Sequence, residues 1–219
     1  MPPPQSLPRP AKPMTTVNSL PLPAGLILGT AATLLLAPIE PAMAHAGTGL
    51  AGGFVAGFLH PLSGADHMLA MVSVGLWGAL LGEPLLYLLP VVFPGLMVIG
   101  AILGMAGVPV PPVEWGIAMS VLALGCCVAG AWRLPAWAAM ATVAGFGLFH
   151  GYAHGKELPS AADPFGYSAG FVLATGFLHV LGIGLGLATR WPQGLRMIRA
   201  TGAGIAIMGA YFVARAAGA

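Results

Sequence analysis

Four of the chain's six histidines fall in two short runs, HPLSGADH (60–67) and FHGYAHGKE (149–157). The same runs hold Asp66 and Glu157, two of its six acidic residues. Imidazole nitrogen and carboxylate oxygen together suit Ni, Co, Zn or Mn better than Mg or Ca. In the second run His150 and His154 are four residues apart, and Glu157 follows three later. On a helix all three lie along one stripe. In the first run Pro61 is expected to turn His60 out of helical geometry. Ser63 followed by Asp66 matches the S-x-x-D pattern of a helix start. Capping would account for Asp66, but not for His60 or His67. The candidate metal ligands are therefore His60, Asp66, His67, His150, His154 and Glu157. His179, inside FVLATGFLHVLGIG, reads either as a deeper ligand or as a histidine hydrogen-bonded to a neighbouring helix. His45 would add an imidazole and an α-amine if processing left it at the N-terminus.

The surroundings of these groups are built for lipid. Of the 219 residues 58% are hydrophobic and 6% charged, whereas a soluble domain carries about 25% charged residues. The apolar runs are long and do not alternate, so they read as helices rather than barrel strands. The expected fold is an all-α, polytopic membrane bundle. About six transmembrane helices are expected, near 64–82, 85–106, 113–132, 135–155, 164–189 and 195–217, separated by proline-containing breaks. Segment 47–60 would be about 21 Å long, short of a hydrocarbon core of about 30 Å. It is expected to be re-entrant or broken. In that arrangement Arg133, Arg190, Arg196 and Arg199 fall inside, with Lys156 and Arg215 outside, as the positive-inside bias favours. The two polar runs share one membrane face whether or not 47–60 crosses, and in the favoured arrangement it is the outer one. Gly147, Gly151 and Gly155 form a ridge beside the histidine stripe, which allows a close helix neighbour.

Residues 1–44 read as a cleaved signal peptide, leaving 45–219 as a single transmembrane helical domain. The N-region is proline-rich, carries Arg9 and Lys12 and has no acid. An apolar run (24–37) and Ala42-Met43-Ala44 follow. A net charge of +2 without an aromatic-studded basic patch excludes nucleic acid as a partner. Cys126 and Cys127 are adjacent in an apolar segment and fit neither a disulfide framework nor a CxxC site. The chain has no P-loop, so it does not hydrolyse ATP itself. Glu83 and Glu114, at segment ends, read as solvated.

GFLHPLSGADHMLAMVSVGLWG (57–78), FHGYAHGKELP (149–159) and FVLATGFLHVLG (171–182) resemble the signature stretches of the HupE/UreJ family of nickel/cobalt permeases. The resemblance covers most of the chain from His45 onward. It implies a non-enzymatic, multi-pass protein of the bacterial inner membrane with a cleaved leader. Such a protein holds no prosthetic group and takes up Ni²⁺ or Co²⁺ without ATP. Its link to hydrogenase or urease maturation is indirect. The family's important positions carry over to His60, Asp66 and His67, and to His150, His154 and Glu157. The proline-rich stretch 1–22 is longer than a usual leader, and Lys156 would place a positive charge near a cation site. The implied partners are a divalent ion and the bilayer, with room for a homo-oligomer. From the residues alone three rivals stand beside a permease: an intramembrane zinc hydrolase with Asp66 or Glu157 as base, a haem-binding accessory subunit, and a metal sensor that does not transport.

Overall fold

The computed structural model describes residues 49–110, 112–158 and 163–218, with Glu157 described by its backbone. The expected leader, its cleavage site and His45 lie outside the described residues. Within them every regular element is helical: α1 (Gly49–Ser63), α2 (Ala65–Leu81), α3 (Leu85–Met105), α4 (Val113–Gly130), α5 (Ala136–Glu157), α6 (Pro164–Gly186) and α7 (Gly194–Ala216). A 3-10 turn, Leu187–Arg190, extends α6. The helices follow the apolar runs because those runs have no other way to satisfy their backbone in lipid. Their ends carry local signals. Asp163 accepts a hydrogen bond from the Gly166 N–H (2.6 Å) with Pro164 in the first turn of α6. At the far end of α4, Arg199 Nε donates to the otherwise open carbonyl of Ala129 (2.7 Å).

Among the described residues four helices are long and apolar enough to cross a membrane: α3, α4, α6 with its 3-10 extension, and α7. The α1–α2 pair, bent by 82°, qualifies as a fifth. Helix α5 has 22 residues, about 33 Å at 1.5 Å per residue, enough to span. Its glycines and histidines lower its hydropathy, so by length and composition together the described helices give four or five spans where about six were expected.

Glycines show how the helices run. A Cβ on Gly147, Gly151 or Gly155 of α5 would collide with the carbonyl of Phe93, Met97 or Ala101 of α3. Both series advance by four, so α3 and α5 are parallel and in backbone contact, as small-residue ridges permit. Gly53 and Gly57 of α1 meet Asp163 and Tyr167 at the start of α6. Gly75 of α2 meets His179, and Gly186 near the end of α6 meets Ala79. The α1–α2 pair therefore follows α6 from one end to the other, as a single broken span rather than a re-entrant excursion. Helices α4 and α7 are antiparallel, with Gly125 on Ala206 and Gly209 on Leu122.

Two local expectations are corrected at the break. Helix α1 continues through Pro61 to Ser63. A proline in the last turn removes only one intrahelical N–H bond, and packing against α6 outweighs the bias it places on His60. The chain turns at Gly64 instead, whose backbone is extended (φ −98°, ψ 115°). Ser63 does not cap α2. Its Oγ donates backwards to the His60 carbonyl (2.7 Å), and Gly64 starts α2 without a side-chain cap. Asp66 is thereby released from the S-x-x-D pattern.

Candidate functional site

The break in α1–α2 presents His60 from the last turn of α1, and Asp66 and His67 from the first turn of α2. It faces the final turns of α5, which carry His150 and His154. The four imidazoles form a row. Ring centroids are 4.8 Å apart for His60–His154, 4.7 Å for His154–His67 and 4.8 Å for His67–His150. Tyr167 and Phe171 of α6 close the side beyond His60 and His154, with Phe171 4.2 Å from the His154 ring. These two lie three and seven residues into α6, so the row sits about 5–10 Å inside that helix end. His150 is fully buried and His154 nearly so, while His60, Asp66 and His67 are half-buried.

Hydrogen bonds define which nitrogens are available. Asp66 Oδ1 accepts the backbone N–H of His67 (2.8 Å) and lies 2.7 Å from His67 Nδ1. A carboxylate oxygen already accepting one donor takes a second, so Nδ1 carries the ring proton and Nε2 carries the lone pair. His67 Nε2 is buried with no hydrogen-bond partner among the described residues. His150 is arranged the same way from another element. Ser120 Oγ of α4 donates its only proton to the Ile117 carbonyl (2.6 Å). It lies 2.9 Å from His150 Nε2, so that nitrogen must donate and Nδ1 holds the lone pair. His150 Nδ1 is also buried and unpartnered among the described residues, as are both ring nitrogens of His154. A carboxylate and a hydroxyl thus each orient an imidazole and leave its basic nitrogen open, as the outer partners of metal-binding histidines do.

The lone pairs do not yet meet. Neighbouring rings stand at 57–87° to each other. Among the described residues no three His, Cys, Asp or Glu side chains converge as in a closed metal centre. Ligation of one ion by several of these groups requires ring rotations. The Glu157 backbone ends α5 on the same stripe, one turn beyond His154. Lys156 reaches over the Tyr152 ring, its amine 5.7 Å from the centroid, and Tyr152 lies on a different stripe from the histidines.

A cavity of about 330 Å³ lies against Asp66 and His67, walled by Glu114, Ile117, Phe212 and Arg215. Glu114 is exposed, as expected of a helix end, and it also lines this cavity with Asp66. The topology contained that signal, because α4 begins on the face assigned to both polar runs. Ser120 had no sequence signal at all. A smaller cavity of about 70 Å³ on the far side of His154 is lined almost entirely by apolar groups such as Met97, Val98 and Met105, which suits no cation. His179 is not part of the row. It is buried deeper along α6, with its ring 5.5 Å from Phe93.

The family model described as "HupE / UreJ protein" matches residues 31–212. Protein HupE of Rhizobium leguminosarum bv. viciae is 44% identical over 179 residues, covering 81% of this chain and 94% of the relative. No solved structure matches.

Proposed function

This chain belongs to the HupE/UreJ family, and from that premise we propose that it is a secondary permease for Ni²⁺, with Co²⁺ as the other candidate cargo. It is proposed to act in a bacterial inner membrane and to supply hydrogenase or urease. The observation that carries the reading is the pair of oriented, open lone pairs on His67 Nε2 and His150 Nδ1 beside a cavity lined by Asp66 and Glu114 together with Arg215. Asp66 and Glu114, with Glu157, draw the hydrated cation into the cavity. Imidazole nitrogens of His67, His150, His154 and His60 then replace part of its water. Borderline-soft divalent ions favour this mixture of nitrogen and oxygen over an all-oxygen cage. The ion must also leave, and a row of rings that has to rotate to close binds less tightly than a preformed tetrahedral centre. The membrane potential supplies the drive without ATP.

The test is radioactive nickel uptake into cells stripped of their own nickel transporters, repeated with cobalt. Wild type is compared with His67→Ala and His154→Ala at matched membrane expression. Uptake by wild type and loss of at least ten-fold in both variants is expected. A well-expressed wild type that moves neither metal overturns the permease reading and leaves the zinc hydrolase as the reading to pursue.

A further inference from the structure

The stripe of α6 that walls the histidine row continues inward. Tyr167 and Phe171 are followed at the same spacing of four by Thr175 and His179, all buried. His179 lies eight residues past Phe171, about 12 Å further along the helix. The Thr175 hydroxyl and both ring nitrogens of His179 lack a partner in hydrogen-bond geometry among the described residues. A buried polar group left open calls for an explanation, and an ionisable one inside a membrane bundle is a candidate for an ion path. A third polar atom comes from α3. Pro94 has no N–H, so the Pro90 carbonyl, four residues earlier, is left without its helical donor. That carbonyl acts on the His179 ring, although the contact falls short of hydrogen-bond geometry.

Between the two levels stands Phe93. Its ring is fully buried, 5.4 Å from His150 on one side and 5.5 Å from His179 on the other. Gly147 presses on its backbone carbonyl. Pro90 and Pro94 flank it and remove two consecutive-turn hydrogen bonds from α3 at this level, where the helix is therefore easiest to deform.

We propose that His179, Thr175 and the Pro90 carbonyl form a second, inner station for the divalent cation, and that the Phe93 ring separates it from the outer histidine row. The proposal rests on the permease reading above. The inner station offers one imidazole and two neutral oxygens and has no carboxylate. It holds a dication less tightly than the outer row, as the release end of a path requires. Phe93 has no ligand atom, so the ion passes only when that ring swings aside.

Two measurements on purified protein test the station: equilibrium binding of Ni²⁺ in detergent, and potential-driven Ni²⁺ uptake into proteoliposomes. His179→Gln is expected to keep outer-row binding within about three-fold while uptake falls at least ten-fold, and Thr175→Val is expected to keep binding and lower uptake likewise. Uptake at the wild-type rate in His179→Gln overturns the inner station and leaves the permease reading intact. Loss of binding together with uptake makes His179 part of the outer row or of the fold, and also overturns it. A wild type that neither binds nor transports Ni²⁺ removes both readings. The partition is read in a background with Cys126→Ala and Cys127→Ala. There, His179→Cys is exposed to a small charged thiol reagent applied from the Asp66 side. Phe93→Ala, or Phe93→Leu where the smaller residue fails to fold, is expected to speed modification at least ten-fold. An unchanged rate overturns the plug.

Discussion

His150 and His67 are oriented by groups that never need to touch the ion. Ser120 accepts a hydrogen bond from His150 Nε2–H, and Asp66 accepts one from His67 Nδ1–H. Removing such outer partners costs about 10- to 100-fold in metal affinity. Ser120→Ala should therefore weaken Ni²⁺ binding by about ten-fold or more, while Ser120→Thr, which keeps the hydroxyl, should restore most of it. Equal affinity in Ser120→Ala and wild type would show that the tautomer of His150 is irrelevant. Protonation supplies a second check. An imidazole binds metal only through an unprotonated nitrogen, so protons compete with the ion. Uptake is expected to fall as the pH is lowered from 7 toward 5 and protons take the ring nitrogens. A flat profile would count against imidazole ligation. The spacing of His150, His154 and Glu157 made their common stripe readable from the chain. Ser120 lies thirty residues from His150, and no local pattern joins a serine to a histidine on another helix.

At the scale of elements, the site depends on how closely α5 lies against α3. Gly151 touches the Met97 backbone so tightly that no Cβ fits. It stands between His150 and His154 on the same two turns. Gly151→Val should push the helices apart, with a stability loss of about 1–3 kcal/mol typical of overpacking, and should abolish uptake. Gly145, in the same helix, has open space where a methyl group would point, with no atom of a neighbouring helix within 4 Å. Gly145→Ala should keep uptake and hold or slightly raise the melting temperature, since alanine favours a helix by up to about 1 kcal/mol. Thermal melts in detergent, run beside uptake, separate the two cases. The glycine ridge was visible as a spacing, but its partner was not. The break between α1 and α2 was visible too, but local rules misplaced it. Pro61 and Ser63 carried strong local signals for a bend at His60 and a cap at Ser63. Packing of α1 on α6 moved the bend to Gly64, and that freed Asp66 to orient His67.

At the scale of the molecule, one broken span, α1–α2, descends beside α6 while α3 and α5 run side by side. This arrangement brings the two polar runs together within the bundle, next to the cavity shared with Glu114 and Arg215. A dication moving through it experiences about 2.3 kcal/mol per charge per 100 mV, about 4.6 kcal/mol in all. At 1.36 kcal/mol per decade, 100 mV can sustain about three orders of magnitude of accumulation. Proteoliposomes with an inside-negative potential should accumulate Ni²⁺, and collapsing the potential should reduce uptake to equilibration. Accumulation that survives collapse but needs a proton gradient would replace potential-driven flow with proton coupling.

The chain by itself determined the solvent, the helix positions and the residue types of the site. Hydropathy, helical spacing and prolines act over a few turns, and those terms are written in consecutive residues. Only the tertiary structure decided which imidazoles are neighbours, which of their nitrogens stay open, and that Ser120, Glu114 and Phe93 join them. These are contacts between residues 30 to 94 positions apart. They arise from close helix packing, where the position of one glycine sets what its neighbour's side chains can reach.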